Sequence, residues 1–188
     1  MDVVHTPSFR FNTILFLGYL GLAVLLWIDM PERYPVHFDL AGNPTRWEER
    51  NPGMWILIVA LSSISFMKVH LFQRFVFTNP DSPFLNLPYK THFQKLPGER
   101  KLPVLRRVNR MLGLLNAGVL FVFIILLFLI YYSAHNPGSP AAGVANQALL
   151  VAVSVVVIYP LVEYVSLRGV IREKLEEEGL LGSPHEVP

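Results

Sequence analysis

MLGLLNAGVLFVFIILLFLIYY, Met111 to Tyr132, holds no charged side chain. A helix rises about 1.5 Å per residue and the hydrocarbon core of a bilayer is about 30 Å thick, so a stretch of this length and character reads as a membrane span. Working outward from it, three more stretches meet the same test: Phe11 to Ile28, FNTILFLGYLGLAVLLWI; Met54 to Phe72, MWILIVALSSISFMKVHLF; and Gln147 to Leu167, QALLVAVSVVVIYPLVEYVSL. Composition agrees, since 52% hydrophobic against 16% charged residues is too apolar for an ordinary soluble chain of this size. The fold expected is therefore an all-α membrane protein, with one four-helix domain over 1–188.

Lys68 and His70 lie within about a turn of the end of the second span, where long side chains reach the headgroups. The first span reads as a retained helix and not a signal peptide, because only Arg10 precedes it in its n-region and no A-x-A-like cleavage site follows Ile28.

Sidedness follows from lysine and arginine, which accumulate in cytoplasmic loops. The loop over 29–53 holds only Arg33, Arg46 and Arg50, and the loop over 133–146 holds none. Thirteen of the sixteen basic residues thus fall before the first span, in or beside the loop over 73–110, or in the tail over 168–188. N-in, C-in is the expected topology, with 29–53 outside and the basic loop against an anionic inner leaflet. No nucleic-acid-reading motif accompanies the basic loop, which argues against nucleic acid as a partner. Cysteine is absent, so disulfides, thiolate metal sites and a cysteine nucleophile are excluded.

The loop DMPERYPVHFDLAGNPTRWEERNPG, over 29–53, is the most informative polar segment. Val36, Phe38 and Leu40 alternate with His37 and Asp39, as in an extended strand with one apolar and one polar face. Ala41-Gly42-Asn43-Pro44 reads as a turn, with a positive φ at Gly42 and Asn43 kept out of the helical region by Pro44. Thr45 with Glu48 three residues on is a capping-box pattern, which predicts a short helix around 46–50 that Asn51-Pro52-Gly53 ends. Trp47 and Trp55 suit the outer membrane interface.

YPVHFDLAGNPTRW resembles the P-x-H-(F/W)-(N/D)-x-x-G-x-P-x-x-W signature of a bacterial domain-of-unknown-function family found in SdpI-type membrane proteins, the immunity and signalling partners of the sporulation-delaying-protein toxin. Pro35, His37, Phe38, Asp39, Gly42, Pro44 and Trp47 stand at matching positions. LNLPYKTHFQKLPGERK looks like the I-P-N-K-x-Y-(W/F)-x-x-P-E-x-R stretch that follows the second helix in those proteins, matched more loosely, with Gly98 inserted and Tyr89 where asparagine is usual. The resemblance spans residues 11 to about 110 and leaves the last two helices uncovered; SdpI-type proteins are also longer. It implies a bacterial cytoplasmic-membrane location and a non-enzymatic role in binding or sensing an extracytoplasmic ligand or toxin peptide. A structural subunit of a larger membrane complex and a membrane enzyme or transporter are the alternatives.

His37, Asp39, Arg46 and Trp47 are the ligand-recognition candidates, on a turn built from Pro35, Phe38, Gly42 and Pro44. For His37 and Asp39 three roles stay open: structural hydrogen bonding, ligand recognition, and metal ligation, which needs three or four ligands where the sequence offers two. No metal or other cofactor, and no catalytic residue, is expected. Within the spans the polar candidates are Asn116, beside Gly113, Ala117 and Gly118, as helix-packing glue ahead of a substrate contact, and Glu163, expected to pair with Arg168 or Arg110, with a proton relay as the alternative. Pro160 is expected to kink the fourth span, and Tyr131 and Tyr132 to anchor at an interface. The tail, with Ile171 and Leu175 four apart and Arg172 to Glu176 and Lys174 to Glu178 pairs, reads as a solvated helical extension or a docking surface for a membrane or cytoplasmic partner, ended by Gly182-Ser183-Pro184.

Overall fold

The structure is a computed structural model describing residues 6–76 and 79–181. The chain is mostly helical: α1 (Pro7–Ile28), α2 (Pro52–Val76), the single turn α3 (Lys90–Phe93), α4 (Gly98–His135) and α5 (Pro140–Glu177). Two antiparallel strands, β1 (Arg33–Phe38) and β2 (Pro44–Glu49), form a hairpin between α1 and α2. The all-helical expectation therefore needs a correction at 46–50. Pairing with β1 satisfies backbone groups along one edge of this short segment, whereas one isolated helical turn would satisfy few of its groups, so the capping-box pattern is overridden. Asn51 opens α2 instead of ending a helix, its Oδ1 accepting from the Gly53 amide at 2.8 Å.

Four helices, α1, α2, α4 and α5, are long and apolar enough to cross a membrane. Large apolar side chains point outward on all four, among them Ile14, Leu57, Phe121 and Val165. The most apolar stretch of α5 has none of its residues buried in the protein. A helix apolar all round yet uncovered by its own chain is suited to lipid and not to water.

Each of α4 and α5 exceeds its expected span. At 38 residues α4 is about 57 Å long, well beyond the hydrocarbon core. It is the central helix, packing on α1, α2, α5 and β1. Its relation to α1 is parallel, as the contacts of Asn12 with Gly113 and Asp29 with Tyr131 require. Against α2 and α5 it is antiparallel, as Gln73 with Asn109 and Arg107 with Glu163 require. One end of the bundle thus carries 79–97 and the C-terminal part of α5, and the other carries the hairpin. α5 continues as one helix through Pro160.

At the first of these ends Phe93, Leu96, Val104, Leu105, Ile171 and Leu175 form one buried cluster. Ile171 and Leu175 are 0% exposed, so the inner face of the tail is neither solvated nor free for a partner. Each such aliphatic side chain contributes about 1.5–3 kcal/mol by leaving water. Lys101 is buried too, and its ammonium donates to Asp81 Oδ1 at 2.6 Å and to the Gln94 carbonyl at 2.8 Å, which ties 79–97 to α4. Arg172 pairs with Glu176 as the spacing predicts, but Glu178 pairs with Arg100 of α4 and not with Lys174. Gly182-Ser183-Pro184 lies outside the described residues.

At the hairpin end, Tyr19, Ala23, Met30, Tyr34, Trp55, Leu127 and Ile130 make a second buried cluster. Tyr34 Oη donates to the Asn51 carbonyl at 2.9 Å, and Arg50 reaches back to the Trp27 and Ile28 carbonyls at 2.7 and 3.1 Å, closing the C-terminus of α1. These three bonds tie the base of the hairpin to the helices.

Candidate functional site

The hairpin is irregular, and the irregularity sets the site. Pairing runs Arg33 with Glu49, Tyr34 with Glu48 and Pro35 with Trp47, then shifts twice, to His37 with Arg46 and Phe38 with Pro44. Val36 is the extra residue on β1 and Thr45 the extra residue on β2. The His37 imidazole Nδ1 shares a hydrogen bond with Thr45 Oγ1. Val36 and Phe38 pack toward the core behind Tyr34.

Beyond Phe38 the chain turns. Asp39 Oδ1 accepts from the Asn43 amide at 2.8 Å and Oδ2 from the Asn43 side chain at 3.0 Å. These bonds, the side-chain one foremost, hold the exposed Asp39 carboxyl below its ordinary pKa, because they favour the charged form. Gly42 has φ 87. A Cβ there would lie 2.6 Å from Asn146 Cβ and 3.0 Å from the Ala142 carbonyl, so the turn sits flush against the first turns of α5. Asn146 Nδ2 donates to the Leu40 carbonyl at 2.9 Å. The reversal at Asp39 leaves Leu40 86% exposed, so it does not join the apolar face that strict alternation predicts.

Between turn and helix lies an open cleft of about 780 Å³, lined by His37, Phe38, Asp39, Leu40, Ala41, Asn146 and Leu150. The structure therefore brings two of the four recognition candidates to the cleft. The other two stand apart: Arg46 pairs with Glu48 at 3.2 Å on the surface, and Trp47 is half-buried opposite Pro35. Trp55 is not an exposed anchor; it is buried, with Nε1 donating to the Ala23 carbonyl at 3.1 Å. Among the described residues no three of His, Asp and Glu converge as a metal site would need.

Residues 14–61 match a domain of unknown function, DUF1648. No curated protein and no solved structure matches the chain. The DUF1648 stretch holds the hairpin, most of α1 and the first part of α2, and it stops short of Asn146 and Leu150. The cleft thus joins the matched stretch to a helix outside it.

Inside the bundle, Asn116 is fully buried and its Nδ2 reaches the Phe66 carbonyl at 3.5 Å. It belongs to a polar strip that reading single spans missed. Gln73 Nε2 donates to the Asn109 carbonyl at 3.0 Å and to Asn109 Oδ1 at 2.9 Å, while Asn12 Nδ2 donates to the Gly113 carbonyl at 2.9 Å. Asn109, Gly113 and Asn116 share one face of α4, as Phe66, His70 and Gln73 share one face of α2. That spacing was the available signal, hidden because Gln73 and Asn109 fall just outside the apolar stretches.

Glu163 pairs with Arg107, Nε to Oε2 at 3.0 Å, in place of the expected Arg168 or Arg110. Five residues along a helix turn about 500°, which carries Arg168 away from Glu163. Arg168 instead lies over the Tyr89 ring, 5.8 Å from its centroid. Tyr131 Oη donates to Asp29 Oδ2, and the Tyr132 and Ser139 hydroxyls share a bond at 3.1 Å, at the hairpin end of the bundle.

Proposed function

We propose that the protein is a non-enzymatic, SdpI-like protein of the bacterial cytoplasmic membrane, oriented N-in and C-in, that binds or senses an extracytoplasmic peptide in the cleft between the hairpin and α5. The observation that carries this reading is the cleft itself. It sets apolar side chains, Phe38, Leu40 and Leu150, beside polar ones, His37, Asp39 and Asn146. An exposed apolar anchor beside polar groups, on a turn braced against a helix, suits preorganised recognition of an amphipathic segment. Chemistry asks for more: a nucleophile or metal set against a tuned acid or base, where the cleft offers one imidazole bonded to Thr45 and one carboxylate bonded to Asn43.

The test places a photo-crosslinking side chain at Leu40 in intact cells, with one at Arg46 as the control outside the cleft. A discrete peptide adduct at 40, absent at 46 and lost in His37→Ala protein of unchanged melting temperature, is expected. Equal adducts at both positions, or none, would overturn the reading.

A further inference from the structure

A second cleft, of about 470 Å³, opens between α4 and α5 at the opposite end of the bundle from the hairpin, lined by Arg107, Arg110, Met111, Leu114, Tyr159 and Glu163. Its composition is graded. Arg107 and Arg110 stand in the first turns before the apolar stretch that opens at Met111, while Leu114 lies within it. Glu163 neutralises Arg107 through the bond at 3.0 Å, and Ser166 Oγ takes a second guanidinium nitrogen at 2.7 Å. Arg110 is exposed and, among the described residues, has no acceptor. The Tyr159 hydroxyl has none either. The cleft therefore carries one uncompensated positive charge, with unfilled donors on Arg110 and Tyr159 beside the apolar side chains of Met111 and Leu114.

We propose that this cleft binds one anionic phospholipid, the Arg110 guanidinium and Tyr159 hydroxyl holding its phosphodiester and Met111 and Leu114 lying along its first acyl methylenes. A protein carboxylate would meet the charge but not the apolar side chains of Met111 and Leu114, and the most apolar stretch of α5 is itself unburied. A lipid meets both. The Glu163 pair has a part in this, because it fixes Arg107 away from the ligand and leaves Arg110 as the recognition group.

The test is native mass spectrometry of the full chain released from nanodiscs of phosphatidylcholine with phosphatidylglycerol. Wild type is expected to retain one phosphatidylglycerol in preference to phosphatidylcholine. Arg110→Gln should weaken retention about fivefold, since one basic side chain at an anionic surface is worth about 1 kcal/mol. Lys95→Gln, a basic residue away from the cleft, should not. Leu114→Trp, which fills the cleft without changing charge, should also weaken retention and covers the case of an unstable Arg110 variant. Equal retention of the two lipids, an effect of Lys95→Gln as large as that of Arg110→Gln, or displacement of the lipid by inorganic phosphate alone would overturn the proposal.

Discussion

Gly42 is required twice over, once for its φ of 87 and once for the absence of a Cβ against Asn146. Gly42→Val should cost about 1–3 kcal/mol from the backbone alone, and more because the clash is with Asn146 Cβ and the Ala142 carbonyl, neither the tip of a flexible side chain. A lower melting temperature in detergent, with faster proteolysis of 29–53, is the expected readout; an unchanged hairpin would contradict the docking described. Tyr89 poses the complementary case. Its φ of 56 is left-handed, a region asparagine tolerates and β-branched residues do not. Both Tyr89→Asn and Tyr89→Val lose the ring under Arg168, and Tyr89→Val should cost about 1–3 kcal/mol more than Tyr89→Asn from the backbone, by thermal melts of both. Asp39 supplies the pH dependence. Its folded pKa lies below the unfolded value, so its contribution to the turn is complete above about pH 4 and is lost as pH falls through the folded pKa. Amide protection at Asn43 should fall over that acid range in wild type, and be low at every pH in Asp39→Ala. A flat wild-type profile would remove the carboxylate from the account.

At the scale of elements, the four apolar stretches were legible because composition alone reports burial in lipid, and the Gly42 turn because only glycine takes that φ freely. The second strand was not. Thr45 and Glu48 satisfy a local capping rule, and what overrides it is pairing with β1, which no window of neighbouring residues contains. The tail misled for a similar reason: Ile171 and Leu175 announce an apolar face, but its partner, Leu105 with Phe93, lies far away in sequence. Arg46 and Trp47 stand beside His37 in the chain, yet they lie off the cleft, whose other wall comes from Asn146 and Leu150. Lys101 binds the segment over 79–97 to α4, and its removal tests that element. Lys101→Ala leaves the Gln94 carbonyl without its donor and should cost about 1–3 kcal/mol. Limited proteolysis should open 79–97 first, and cleavage elsewhere at the wild-type rate would show that the segment is held by its apolar contacts alone.

Across the whole molecule, the two ends of the bundle differ in kind. One gathers most of the basic residues over a buried apolar cluster and carries the cleft at Arg110; the other carries the hairpin, its cleft, and the short connection at 136–139. If basic residues mark the cytoplasmic face, the proposed recognition cleft and the anionic leaflet lie on opposite sides of one bilayer, joined by α4 and α5. The cysteine-free sequence makes that sidedness directly measurable. Ser133 is buried and unsuited to labelling, whereas Asn136 and Thr91 are exposed at opposite ends. The decisive measurement is therefore reaction of Asn136→Cys and Thr91→Cys proteins with an impermeant maleimide on intact cells. Labelling at 136 and protection at 91 until the cells are opened is the result predicted; labelling at 91 with protection at 136 would put the hairpin in the cytoplasm and contradict an extracytoplasmic binding site.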